Sequence, residues 1–139
     1  MSTGCPLEQQ PNRKETKAST EELRKYAKSI KADLHDAVQL GFASKKEVDT
    51  LIHSCNRGET QETVQALRGT AELYKALQRV KVSSKSRDSN EFEDFARKQT
   101  VMGALESIKS APTLSERVAA IARLSIITND ADELIERRQ

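Results

Sequence analysis

The segment "TQETVQALRGTAELYKALQRVKV", residues 60–82, carries its apolar side chains in two rows. Val64, Leu67, Ala71 and Tyr74 recur at helical spacing along one side, and Ala66, Leu73, Leu77 and Val80 along another. A helix lying on the outside of a fold needs one apolar stripe; two stripes place it between neighbours. The segment therefore predicts a long helix from about Thr60 to Val82, packed among others.

Working towards the N-terminus, "NRG" (56–58) closes a shorter helix that "SKKE" (44–47) opens, with Val48, Leu51, Ile52 and Cys55 on its apolar side. Ser44 and Glu47 stand three residues apart, as a capping box requires. Before it, "STEE" (19–22) repeats the device with Ser19 and Glu22, followed by Leu23, Tyr26, Ala27, Ile30, Leu34 and Val38 at spacings of three and four. Gly41 supplies a C-terminal stop and Phe42 is placed to fold back on the helix end. Residues 1–18 hold Pro6, Pro11, Arg13, Lys14 and Lys17 and almost nothing apolar, the composition of a disordered tail.

Towards the C-terminus, "SSKSRDS" (83–89) interrupts the periodicity, and Asn90 with Glu93 offers a new N-cap before Phe92, Phe95, Ala96, Met102, Leu105 and Ile108. "SAPTLSE" (110–116) stops that helix at Pro112 and opens the next through Thr113 and Glu116. Its buried side is expected at Leu114, Val118, Ile121, Ala122 and Leu124. "ITND" (127–130) breaks or bends the chain before Ala131, Leu134 and Ile135. No run alternates apolar and polar residues between turn signals, so no sheet is expected. The expectation is an all-α, compact bundle of five to six helices over residues 19–139, with a disordered N-terminal tail over residues 1–18.

With 139 residues the chain can bury a real core, and with 36% apolar and 4% aromatic residues that core is mainly Leu, Ile, Val and Ala. No apolar run approaches the roughly 20 residues that span a bilayer, and the first twenty residues have no signal-peptide character. Cys5 and Cys55 form no C-x-x-C pair, so two reduced thiols and a cytoplasmic setting are expected.

Catalytic chemistry has few footholds. His35 and His53 are the only histidines, and His53 with Cys55 is an isolated H-x-C where a zinc site wants four ligands in closely spaced pairs. The five glycines are scattered at 4, 41, 58, 69 and 103, which gives no phosphate-cradling loop. The carboxylate clusters Glu91, Glu93, Asp94 and Asp130, Asp132, Glu133 fall at expected helix N-termini, where the helix dipole accounts for them. No enzyme, cofactor or metal is expected.

What is left is surface. The net charge of +2 is nearly neutral, but the positive charge is unevenly placed. Arg24, Lys28, Lys31 and His35, joined by Lys17 if the helix reaches it, form a strip roughly 60° wide on the first helix, with Glu22, Asp33 and Asp36 on the other flank. Lys75, Arg79, Lys81, Lys85 and Arg87 put five cations and no acid into residues 75–87. Tyr74 and Phe92 fit apolar stripes better than exposed ledges, which disfavours single-strand stacking. The primary expectation is a non-catalytic interaction or adaptor protein that binds a protein partner or self-associates, with Leu73, Leu77 and Val80 as a surplus stripe for the interface. The alternative is a duplex nucleic-acid binder with phosphate contacts from Arg24, Lys28, Lys31, Lys75, Arg79, Lys81, Lys85 and Arg87.

Overall fold

The computed structural model describes residues 13–85 and 87–138, with side chains from Thr20 onward except Ile126. The described residues are all-helical: α1 Arg13–Asp33, α2 His35–Leu40, α3 Lys45–Ile52, α4 Arg57–Arg79, α5 Ser89–Lys109, α6 Leu114–Arg123 and α7 Ser125–Arg138. Among the described residues seven helices stand where five to six are expected. The extra one arises at Leu34, where the expected first helix divides into α1 and α2. The division is slight, because Leu34 N–H still donates to Ile30 O and Val38 N–H to Leu34 O, both at 2.9 Å.

Several caps form as their chemistry requires. The Ser44 hydroxyl accepts from Glu47 N–H at 3.1 Å while the Glu47 carboxylate accepts from Ser44 N–H at 3.0 Å, a complete capping box. Thr113 Oγ1 accepts from Glu116 N–H at 3.1 Å to open α6. Gly41 adopts φ 94°, the left-handed region that favours glycine, and ends α2. Gly41 N–H then donates to Val38 O and Phe42 N–H to Ala37 O, the paired hydrogen bonds of a Schellman motif, and Phe42 lands in the core.

Other boundaries move. α1 begins at Arg13 rather than at Ser19, which lies inside the helix; residues 1–12 of the expected tail lie outside the described residues. Asn56 does not end α3 but caps α4, its side chain accepting from Glu59 N–H at 3.0 Å. Asp88, not Asn90, caps α5, because its carboxylate reaches Asn90 N–H at 2.9 Å two residues ahead of the expected start. The break near the C-terminus falls at Leu124, and "ITND" runs through α7 unbroken. Cys55 is disulfide-bonded rather than a reduced thiol, and Cys5 lies outside the described residues.

α4 is the central helix and touches α1, α2, α5, α6 and α7, which explains its two stripes. Val64, Leu67, Ala71 and Tyr74 are buried, and so are Leu73, Leu77 and Val80. Around it Ile30, Leu34, Ala37, Phe42, Ala43, Val48, Leu51, Ile52, Val101, Leu105, Ile108, Ala131 and Leu134 complete the core. The Tyr74 and Phe42 rings meet edge to face with their centroids 5.8 Å apart, and Lys109 Nζ lies over both rings, 4.2 Å from Tyr74 and 5.3 Å from Phe42. The Tyr74 hydroxyl donates to Glu106, which holds that carboxyl below its usual range.

Two buried charges, Asp94 and Arg117, tie distant helices together. Asp94 is 2% exposed and receives Arg137 at 2.7 Å and Arg138 at 2.8 and 3.0 Å, fastening the start of α5 to the end of α7. The helix dipole assigned to its cluster in the sequence is therefore the smaller part of its environment. Burial pushes the Asp94 carboxyl up, but the hydrogen bonds and charges of Arg138 and Arg137 outweigh it and leave the group below its ordinary value of 3.8. A depressed folded value means stability that is present above the unfolded value and lost as the pH falls through the folded one. Asp94→Asn is expected to cost about 2 kcal/mol at pH 7, a reduced figure because both arginines are partly exposed. Its unfolding midpoint in urea should also fall less steeply than that of the wild type between pH 5 and pH 3. An acid limb as steep as the wild type's would show that Asp94 does not set it.

Candidate interaction surfaces

α4 presents opposite sides to its neighbours. At about 100° per residue, Arg68 and Lys75 fall on one side, where Arg68 meets Asp33 at 3.6 Å and Lys75 meets Asp36 at 3.0 Å. That side faces α1 and α2. Ala66, Gly69, Leu73 and Ala76 fall on the far side, where they line an open groove of about 500 Å³ walled by Ile121 of α6 and by Thr128, Asp132 and Ile135 of α7.

The groove exists because α4 puts small side chains there. A Cβ built at Gly69 meets no atom within 4 Å, so the space above it is empty and the residue's negative φ asks for no glycine. Gly69→Ala is therefore expected to stabilise the chain by about 0.5–1 kcal/mol through helix propensity alone, read as a raised urea midpoint. Glu72 and Asp132 are the charged groups on its lining, and no cation is among them.

The expected interface residues divide here. Leu73 reaches the groove, whereas Leu77 and Val80 are covered from within the chain, so the surplus stripe is largely filled by the protein's own helices. Aspartate at Leu77 would then unfold the chain rather than report on assembly.

The cations expected to contact phosphate divide as well. Arg24, Lys28 and Lys31 are exposed along α1, and Arg79, Lys81, Lys85 and Arg87 are exposed around the α4–α5 connection. Lys75 is already engaged with Asp36. Arg57 stacks on the Tyr26 ring at 4.4 Å, Asp33 meets Arg68 and Asp36 meets Lys75, so α1–α2 runs parallel to α4. The α1 strip thus lies beside the first half of α4, whereas Lys81, Lys85 and Arg87 follow its C-terminal end. The connection is itself braced: Glu91 accepts from Ser83 N–H at 3.0 Å, and Lys98 donates to Val80 O at 2.7 Å. Ser86 lies outside the described residues.

Two apolar side chains assigned to buried stripes are exposed instead. Phe92 is 53% exposed on the first turn of α5, and Leu23 is 41% exposed on α1. Phe92 sits at a helix start, where fewer neighbours are available to cover the stripe, whereas Leu23 lies in the middle of α1. Among the described residues, no three His, Cys, Asp or Glu side chains form a group that would hold a metal, and no helix is long and apolar enough to cross a membrane. Comparison of the chain with known protein families, with curated proteins and with solved structures finds no match.

Proposed function

We propose that the protein is a non-catalytic helical interaction module, a compact bundle that docks a helix of a partner, or of a second copy, in the α4–α6–α7 groove. The observation that carries the reading is the open space above Gly69 between the Ile121 and Ile135 walls. Grooves of this kind accept the apolar face of an amphipathic helix, with anchors at spacings of three and four. Glu72 and Asp132 on the lining suit an occupant with a basic flank.

Duplex nucleic-acid binding is the second reading, supported by the exposed cations of α1 and of residues 79–87. It ranks lower because a single backbone track would have to join two clusters at different ends of α4 and because Lys75 is spoken for.

Gly69→Arg tests the first reading with little risk to the fold, since the new side chain enters empty space. The wild type and this variant are compared by sedimentation over a range of concentrations, and by chemical cross-linking in cell extract. Self-association, or one discrete cross-linked partner, that is present in the wild type and lost in Gly69→Arg supports groove docking. A monomer whose cross-links are identical in both proteins overturns it. Anisotropy with labelled duplexes at about 50 and 200 mM salt checks the second reading, which requires a steep loss of binding with salt.

A further inference from the structure

A second groove, of about 390 Å³, lies between the α1–α2 junction and α3. Lys31 and His35 stand one turn apart on one wall, Lys45 and Asp49 one turn apart on the other, and Val38 and Val48 supply the apolar surface between them. Three cationic or cation-forming groups thus converge on one cleft with a single carboxylate.

Elsewhere the fold pairs the cations at its helix seams. Arg68 has Asp33, Lys75 has Asp36, Arg117 has Glu47, and Arg137 and Arg138 share Asp94. Lys31, His35 and Lys45 have no hydrogen-bonding or ion-pairing partner among the described residues. Gathering like charges in one cleft is unfavourable unless an anion joins them, and a low-dielectric floor strengthens the attraction for one.

We infer that this groove binds an organic phosphate, its phosphoryl head between Lys31, His35 and Lys45 and a short apolar body against Val38 and Val48. The inference is independent of helix docking on α4, because none of these residues lines that groove. A phosphate monoester carries close to two negative charges at neutral pH, so it draws on both lysines against the single Asp49 carboxylate, with the His35 imidazole placed to donate a hydrogen bond. The contacts are solvent-exposed, so the affinity should be millimolar rather than tight.

The test is a titration of the full chain followed by backbone amide shifts in NMR, with inorganic phosphate, phenyl phosphate and phenol as probes. Phenyl phosphate should bind more tightly than inorganic phosphate, with saturable shifts confined to residues 31–49, and phenol should not bind measurably. Lys31→Gln and Lys45→Gln should each weaken phenyl phosphate by about 5-fold, and Asp49→Asn should tighten it by about 2- to 5-fold. The triple change Lys81→Gln, Lys85→Gln, Arg87→Gln removes more charge from a different surface and should leave the affinity unchanged.

Vesicles of phosphatidylcholine with and without phosphatidic acid separate the sources of the head group. Phosphatidic acid-dependent binding lost in Lys31→Gln assigns a lipid, and phenyl phosphate binding without vesicle binding assigns a soluble ester. The inference is overturned if neither phosphate saturates, if phenyl phosphate binds no better than inorganic phosphate, or if the triple change weakens binding as much as the groove variants do.

Discussion

Arg117→Ala is expected to destabilise the protein by about 3–5 kcal/mol, read as a lower urea midpoint at unchanged slope. Arg117 is only 8% exposed, and its guanidinium satisfies four acceptor atoms at once. Nη1 donates to Glu47 Oε1 at 2.6 Å and to Phe42 O at 2.8 Å, Nη2 to Glu47 Oε2 at 2.7 Å, and Nε to Ala111 O at 3.0 Å. One side chain thereby ties the start of α6 to the capping box of α3 and to the turn after α2.

Removing it leaves two carbonyls without a donor and a carboxylate that only partial exposure can rehydrate. Arg117→Lys should recover little, because a point charge cannot serve a bidentate carboxylate and two carbonyls together. The Glu47 carboxyl lies below its usual range, chiefly through its hydrogen bond from Arg117. Its contribution is therefore complete above the unfolded value and is lost as the pH falls through the folded one. The gap between wild type and Arg117→Ala should accordingly narrow from pH 7 to pH 3. A gap that stays constant would mean that Arg117 acts by packing and not through Glu47.

Phe42→Ala should cost a similar amount, about 3–5 kcal/mol, for a different reason. The ring is fully buried at the point where the Schellman turn delivers it, packed at a steep angle to the Tyr74 ring and beneath Lys109. Its loss opens a cavity beside the central helix while the backbone hydrogen bonds of the turn and the Arg117 contact to Phe42 O remain available. Phe42→Leu, which keeps most of the volume but no π face, should lose roughly half as much. Thermal unfolding of the two variants separates cavity from aromatic contact: equal losses would show that the ring's π interactions, not its volume, carry the effect.

The two sites differ in how far the sequence announces them. Phe42 follows Gly41 at the end of an apolar stripe, and its inward turn can be read from that local pattern. Arg117 gives no such signal, since it lies among residues expected to form an apolar side and its partner Glu47 is 70 positions away. Glu47 itself is legible only as a cap. Asp94 behaves likewise: three carboxylates at a helix start have a sufficient local explanation, and nothing nearby announces Arg137 and Arg138.

By itself the sequence determined the helical class, the central place of the segment around Leu67, and the caps at Ser44, Gly41 and Thr113. Each of these depends on spacings of three or four residues or on one residue's backbone preference, so the information lies within a single turn. Where equivalent caps stood close together, as at Asp88 and Asn90, local chemistry was degenerate and the boundary moved. Only the tertiary structure decided that Leu77 and Val80 are covered while Leu73 reaches a groove, that Phe92 is exposed, and that Lys31, His35 and Lys45 share one cleft. Those outcomes depend on which helix lies against which, and burial and charge pairing between distant segments are properties of the packed chain rather than of any window of it.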